Sequence, residues 1–230
     1  MTFLLILFVT FVFVLFLFML PILYSLRAVG SLFVYPKQLK NMFGNRILRR
    51  NHALEHATIA VMMEREPGRK LNGFSTDEGF FVQGARSLEE VESAAREADR
   101  RLRGGEKGLA IHRNCGTTIV AANLLTAIFF LASLAVGLYL NWPLYLLILG
   151  AIVFAFALRV PLSLLLQRFV TTDADLTNAE VGWVEPARPQ DMRGGGILGL
   201  LLAASSVRVR VFHTDPNAVE ILRGDGTVVK

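Results

Sequence analysis

Long apolar stretches dominate the pattern of hydrophobic and polar positions along this chain. They cover residues 2–24, 117–140 and 144–166, and a single arginine is the only charge within them. Each is long enough to cross a hydrocarbon core of about 30 Å as a helix. Residues 141–143 (Asn-Trp-Pro) form a turn between the second and third stretches, with a tryptophan suited to a membrane interface. The pattern predicts three transmembrane helices, the last two of which form a hairpin.

The first apolar stretch is predicted to be a retained anchor and not a cleaved signal peptide. No basic residue precedes it, and residues 21–24 (Pro-Ile-Leu-Tyr) are not a small-residue cleavage site. Basic residues follow it instead: Arg27, Lys37, Lys40, Arg46, Arg49 and Arg50. This bias predicts that the C-terminal side of the anchor is cytoplasmic. Residues 25–45 mix aromatic and basic side chains, which is typical of a segment along a membrane surface.

Between the first and second apolar stretches, the pattern becomes that of an α+β portion. Asn45 is a plausible N-cap, and Ser87 with Glu90 forms a capping box. The predicted elements are a helix over residues 45–64, strands over 70–76 and 80–83, a helix over 87–103 and a third strand over 108–112. We therefore expect a helix-β-β-α-β arrangement here.

The C-terminal part of the chain is predicted to be small and β-rich. Strands are expected over residues 170–172, 180–184 and 207–212, with a hairpin over 219–222 and 227–229. Residues 194–199 match Gly-x-Gly-x-x-Gly, but no strand precedes them, which argues against a dinucleotide site. Residues 197–204 are too short to span a bilayer and are expected to form a buried or membrane-dipping helix.

The predicted fold class is therefore a membrane α-helical protein with an α+β portion and a β-rich end. Its regions are a transmembrane anchor at 1–24, a cytoplasmic α+β region at 25–116, a helical hairpin at 117–166 and a cytoplasmic C-terminal region at 167–230. The composition agrees with this class, since 53% of the residues are hydrophobic and the mean hydropathy is +0.47. The net charge of +5 fits anionic lipid better than nucleic acid, because the bases flank the spans.

The predicted helix over residues 45–64 carries the most informative motif, His-x-x-Glu-His. Residues four apart point the same way on a helix, so His52 and His56 can offer two imidazoles to one metal ion. Glu55 lies beside them, where it could orient or deprotonate a metal-bound water. The same residues could instead be a hydrogen-bonded polar face of a buried helix, because buried polar groups need partners.

A second motif, His112-Arg113-Asn114-Cys115-Gly116-Thr117, follows the predicted third strand. His112 and Cys115 stand three apart before a glycine, which suits metal binding from a loop. The alternatives are a surface histidine at a strand end and a small buried thiol. Cys115 is also the only cysteine, which excludes an intrachain disulfide and fits a reducing compartment. His213 lies outside both motifs and is interpreted as incidental.

The first motif resembles that of the inverzincin metallopeptidases. The resemblance covers five residues and implies a zinc ion held by His52 and His56, with Glu55 as general base. That family takes its third ligand from a downstream glutamate, for which this chain offers Glu89, Glu90, Glu92 and Glu97. Their helix follows sooner than in that family, and its two-lobed fold would not fit here. His112 is the better third ligand.

The whole chain is similar to an uncharacterised family of bacterial integral membrane proteins. The shared motifs are Asn-His-Ala-Leu-Glu-His-Ala-Thr at 51–58 and His-x-Asn-Cys-Gly-Thr at 112–117. The similarity implies a multi-pass protein of the bacterial inner membrane and one site built from both motifs, but no known activity.

Two functions remain open. One is a membrane-bound zinc metallohydrolase acting on a protein or peptide. The other is a non-enzymatic assembly or interaction module in which His52, His56, His112 and Cys115 close a structural zinc shell.

Overall fold

The computed structural model describes residues 2–113, 115–188, 191, 203, 205–214, 221–222 and 228–229. The chain splits into two compact units. The first contains Met1–Asn41 and Arg113–Gln167, and the second contains Met42–His112 and Arg168–Lys230. The glycine-rich match at 194–199 lies outside the described residues, as does the helix expected over 197–204 except for residue 203.

The protein is mostly helical with a small antiparallel sheet. Its α-helices are α1 (Thr2–Gly44), α2 (Arg46–Arg65), α3 (Leu88–Arg103), α4 (Thr117–Leu140) and α5 (Leu144–Leu166). Its strands are β1 (Asn72–Thr76), β2 (Gly79–Gln83), β3 (Ala179–Pro186), β4 (Ser206–His213), β5 (Ile221–Leu222) and β6 (Val228–Val229). A short 3-10 helix covers Lys107–Ala110, and a π-helix covers Gln167–Thr171.

Three helices, α1, α4 and α5, are long and apolar enough to cross a membrane. The structure thereby confirms the three long apolar helices expected from the sequence. One difference concerns residues 25–45, which were expected to be separate from the anchor. They continue α1 without a break as far as Gly44, and Pro36 lies inside the helix. The aromatic and basic residues of this segment do not by themselves end a helix, and the helix stops just before the cap of α2.

In the first unit, α4 and α5 pack as the predicted hairpin. Asn141 adopts the left-handed conformation, with φ 56°, in the turn between them. Gly137 allows a close approach, because a Cβ there would lie 3.0 Å from the Cδ1 atom of Leu144. Ser133 Oγ donates to the carbonyl of Leu147 at 3.2 Å. Small and hydroxyl-bearing residues therefore bring the two apolar helices together.

In the second unit, two strands that precede the α4–α5 hairpin in the sequence and two that follow it form one antiparallel sheet. The strand order is β1-β2-β4-β3. Side chains alternate across it, so that Phe80 and Val82 join the core with Val209. Helices α2 and α3 contribute much of that core, including Leu54, Ala57, Val61, Val91, Ala94, Ala95 and Ala98. On the opposite face, Phe74 stacks on Phe81 at 4.4 Å between ring centroids. The helices thus cover one face of the sheet, and this fixes the position of α2.

Two strands expected from the sequence are wrong. Residues 108–112 contain no strand, because the chain forms the 3-10 turn Lys107–Ala110, in which the N–H of Ile111 donates to the carbonyl of Gly108 at 3.2 Å. Residues 170–172 lie in and just after the π-helix that continues α5. Runs of three to five apolar or β-branched residues are compatible with either a strand or a helix. In both segments, local hydrogen bonds form helical turns instead of a strand. The strands over 180–184 and 207–212 are confirmed within β3 and β4.

Arg208 is the most heavily paired charge of the sheet, and we expect its removal to destabilise the second unit. Its guanidinium is 7% exposed, lies near Glu185, and pairs with Glu78 and with Asp191 at 3.0 Å. Arg208→Ala leaves Asp191 without its cation and leaves Glu78 and Glu185 paired with Arg210. We expect a cost of about 1–3 kcal/mol in the free energy of unfolding.

The measurement is denaturant unfolding of the detergent-solubilised protein. Arg96→Ala is the matched control, because its i,i+4 pair with Glu92 is half exposed on both sides, and it should cost less than about 0.5 kcal/mol. Equal costs for the two variants would contradict the prediction.

Candidate metal centre

His52 and His56 lie one turn apart on the buried face of α2. Asn45 caps this helix, since its Oδ1 atom accepts from the N–H of Leu48 at 3.0 Å. The two histidines are 8% and 3% exposed, and their ring centroids lie 4.2 Å apart. The i,i+4 spacing therefore produces the pair of adjacent imidazoles that the sequence predicted.

Each of these imidazoles has its Nδ1 atom against a main-chain carbonyl. His52 Nδ1 lies 2.9 Å from the oxygen of Thr171, and His56 Nδ1 lies 2.8 Å from that of Ala110. A carbonyl can only accept a hydrogen bond, so both Nδ1 atoms carry a proton, and the lone pair of each ring in its metal-binding form is on Nε2. A second ring nitrogen donating to a carbonyl is the usual setting of a metal-binding histidine.

Glu55 lies on the same helix with its carboxyl group in the protein interior. The residue is 4% exposed, and Ser75 Oγ donates to its Oε2 atom at 2.5 Å. Burial raises the pKa of the Glu55 carboxyl, while His52 and the Ser75 hydrogen bond act in the opposite direction. The structure thus holds a carboxyl group of increased basicity next to the imidazole pair.

Strand β1 passes directly over Glu55 at Gly73. A Cβ atom at position 73 would lie 2.5 Å from Oε1 of Glu55 and 2.8 Å from its Cδ and Cγ atoms. Only glycine permits this approach, which places the neighbouring Ser75 within reach of the carboxylate. No motif in the sequence distinguishes Gly73 or Ser75 from their neighbours.

His112 follows the short 3-10 helix and lies beside His56. Their ring centroids are 6.1 Å apart, and His112 is half-buried. Burial, and to a smaller extent the neighbouring His56, lower the pKa of the His112 imidazole. A neutral imidazole is the form that binds metals. The structure thus places His112 next to His56, but among the described residues His112 does not belong to a group of donor atoms close enough to share one metal ion.

Cys115 belongs to the first unit, three residues along the chain from His112. Its Sγ atom lies 3.2 Å from Oγ1 of Thr117 and accepts from the N–H of that residue at 3.4 Å. These contacts tie the thiol to the first turn of α4.

The glutamates of α3 are engaged elsewhere. Glu90 pairs with Arg69, Glu92 with Arg96 and Glu97 with Arg65, while Glu89 is exposed in the first turn of the helix. Glu90, Glu92 and Glu97 therefore each have an arginine as partner.

His213, interpreted as incidental from the sequence, contacts Asn51, the residue just before the His-x-x-Glu-His motif. Its Nε2 atom lies 2.8 Å from Oδ1 of Asn51, whose amide nitrogen donates to the carbonyl of Thr76 at 2.7 Å. Asn51 thereby ties β4 and the end of β1 to α2. The two residues are separated by 162 positions, so no local pattern could have indicated this contact.

The comparisons with known proteins relate this chain to proteins of unknown function. The chain is 40% identical over 89 residues to an uncharacterised protein of Picosynechococcus sp. (strain ATCC 27264 / PCC 7002 / PR-6). The match covers 35% of this chain and 43% of that protein, so the chain spans less than half the length of this curated relative. No solved structure matches the chain. The model of the family described as a domain of unknown function, DUF6391, matches residues 47–184, from the start of α2 through β3, and the chain belongs to this family.

Proposed function

We propose that this protein is a membrane-bound zinc metallohydrolase whose centre is built on α2. The observation that carries the proposal is the pair of Nδ1–carbonyl contacts, which presents the Nε2 lone pairs of His52 and His56 from one helix face. Two imidazoles suit zinc, with a third ligand and an open position expected of a catalytic site.

His112 is the proposed third ligand. It lies in the same unit as the pair, beside His56, and its lowered pKa keeps the ring neutral. Cys115 is the remaining donor. Three residues of extended chain span at most about 11 Å, so the thiol cannot be far from a site that includes His112.

Glu55 is the proposed general base. Its burial raises the pKa of the carboxyl group, and the Ser75 hydroxyl holds one of its oxygens in place. A zinc ion at such a site lowers the pKa of water to about 7 and polarises a carbonyl group. Glu55 would accept the water proton during attack on an amide or ester and return it to the leaving group.

The proposed setting is the bacterial inner membrane, with α1, α4 and α5 spanning the bilayer and the second unit in the cytoplasm. The length and apolar composition of the helices support insertion, and the basic residues after the first span support the orientation. A peptide or protein segment close to the bilayer is the proposed substrate.

A structural zinc site is the alternative function, and the presence of Cys115 favours it. Three imidazoles and a thiolate would form a closed tetrahedral shell, which contributes folding energy and leaves no position for a substrate. The protein would then act as a membrane assembly or interaction module.

Glu55→Gln distinguishes the two functions. We expect the zinc-loaded variant to keep its metal and to lose about 10²–10⁴-fold in the rate of cleavage of a fluorescence-quenched peptide library. Zinc content is measured by elemental analysis on the same samples. Glu64→Gln, an exposed position on the same helix, should retain both properties.

Two results would contradict the hydrolase. Zinc-loaded wild-type protein that cleaves no member of the library supports the structural alternative. Cleavage by Glu55→Gln at the wild-type rate excludes Glu55 as the base.

A further inference from the structure

A pocket of about 500 Å³ opens among the apolar helices of the first unit. Such a volume lies within the range of about 300–1,000 Å³ that is usual for ligand sites. Its polar lining comes from all three helices and includes Tyr24, Arg27 and Tyr35 of α1, Thr118 and Asn123 of α4, and Arg159 of α5. This lining is unusual for helices that are otherwise so apolar.

The charge of this unit is unbalanced. Residues 1–41 and 113–167 contain no aspartate or glutamate, whereas they contain five basic residues: Arg27, Lys37, Lys40, Arg113 and Arg159. Two of these five line the pocket. Within the described part of the chain, neither of these two arginines forms an ion pair. No acidic residue of the first unit can supply a counter-charge for an arginine among these apolar helices, so an anion bound there would come from outside the unit.

The geometry of the lining suits an oxyanion. Phe156 and Arg159 are three residues apart on α5, and the guanidinium carbon lies 4.7 Å above the ring centroid. This stacking occupies one face of the guanidinium and leaves its edge of N–H groups as donors for a phosphate. Tyr24 and Arg27 are likewise three apart, so both side chains leave one face of α1.

The position of the pocket along the helices points to a lipid. Arg27 follows the apolar part of the first span, Thr118 and Asn123 begin the second, and Arg159 is near the end of the third. In a three-span topology, all of these lie on the same side of the bilayer. That side carries the basic residues and faces the anionic leaflet. The exposed Ile119, at 65%, and Phe156, at 43%, border the pocket with apolar surface suited to acyl chains.

We propose that this pocket binds the phosphate headgroup of an anionic phospholipid, held by Arg27 and Arg159. The proposal rests on the membrane insertion given under Proposed function but not on the zinc centre. A single arginine in the lining could be explained by a side chain that reaches towards the headgroup of any nearby lipid. Two arginines from different helices lining one cavity indicate a defined site.

The test is native mass spectrometry of the full chain released from a neutral detergent. The probes are dihexanoyl phosphatidylglycerol, dihexanoyl phosphatidylcholine and inorganic phosphate. We expect one phosphatidylglycerol to bind at least about tenfold more tightly than either of the others, because two charge-assisted contacts and the acyl chains act together. Arg27→Gln/Arg159→Gln should lose this preference.

Lys37→Gln/Lys40→Gln is the matched control, because it removes the same charge from the same unit outside the pocket lining. It should retain affinity for phosphatidylglycerol within about twofold. Arg159→Lys is a milder variant that keeps the charge and loses the guanidinium fork, and we expect it to weaken binding partially.

Equal loss in the lysine control would overturn the proposal, as would equal binding of phosphatidylcholine. Inorganic phosphate binding as tightly as the lipid would assign the pocket to a soluble anion and also overturn it. The zinc content of each sample is measured in parallel. Wild-type protein that binds phosphatidylglycerol but contains no zinc refutes the proposed function alone. Wild-type protein that contains zinc but does not bind phosphatidylglycerol refutes the lipid site alone.

Discussion

His52→Ala and His56→Ala are each expected to abolish stoichiometric zinc binding. Purified wild-type protein should contain about one zinc per chain, and each variant should bind zinc more than about 100-fold more weakly. Loss of an outer hydrogen-bond partner already costs about 10–100-fold in metal affinity, and loss of a ligand costs more. Elemental analysis after dialysis, followed by competition with a chromophoric chelator, measures both quantities.

His213→Ala is the matched control for these variants. It removes an imidazole from the same unit, but this imidazole forms its hydrogen bond with Asn51 and not with His52 or His56. It should therefore retain about one zinc per chain. If wild-type protein prepared without chelator contains no metal, both zinc functions are excluded. The polar face of α2 would then be held by its carbonyl and hydroxyl partners alone. A variant such as His52→Asn, which keeps a polar group near the Thr171 carbonyl, separates loss of metal from loss of folding.

The elements that could be predicted from the sequence are those with long periodic patterns. Helix α2 has a cap at its start and Pro-Gly soon after its end, so its predicted bounds of 45–64 fall within a residue of the observed ones. The apolar helices are equally clear because length alone separates them from soluble elements.

The sheet could not be assembled in this way. Phe80 of β2 pairs with Val209 of β4, and the whole apolar hairpin of α4 and α5 lies between them in the sequence. Pairing between residues this far apart leaves no local signal, and for this reason the sequence predicts residues 25–116 and 167–230 as separate regions. Short runs were also ambiguous, as the strands wrongly predicted over 108–112 and 170–172 show.

In the candidate site too, the local features could be predicted and the long-range contacts could not. The residues that carry chemistry, His52, Glu55 and His56, are visible because one helix presents them together. The groups that orient them are not, since the carbonyls of Ala110 and Thr171 are main-chain atoms available at any residue. Both carbonyls come from the segments wrongly predicted to be strands, where no main-chain contact with the histidines could be expected.

Gly73→Ala is expected to destabilise the second unit by about 1–3 kcal/mol, the usual cost of overpacking a buried position. The added methyl group would meet Oε1, Cδ and Cγ of Glu55 at 2.5–2.8 Å. Glu55 is 4% exposed and bonded to Ser75, so it cannot move aside without losing that bond or shifting β1. Denaturant unfolding gives the cost, and hydrogen exchange of the β1 and β2 amides should show where it falls.

A double-mutant cycle separates this contact from a general effect of the methyl group. In a Glu55→Ala background, the space above position 55 is empty, and Gly73→Ala should cost less than about 0.5 kcal/mol. Gly108→Ala is the control for replacing glycine itself, because nothing lies within 4 Å of a Cβ at that position. The same cost for Gly73→Ala in both backgrounds would mean that β1 does not press on Glu55. A coupling of about 1 kcal/mol or more would establish that a strand glycine sets the position of the proposed base, since only its missing side chain allows Ser75 to reach the carboxylate.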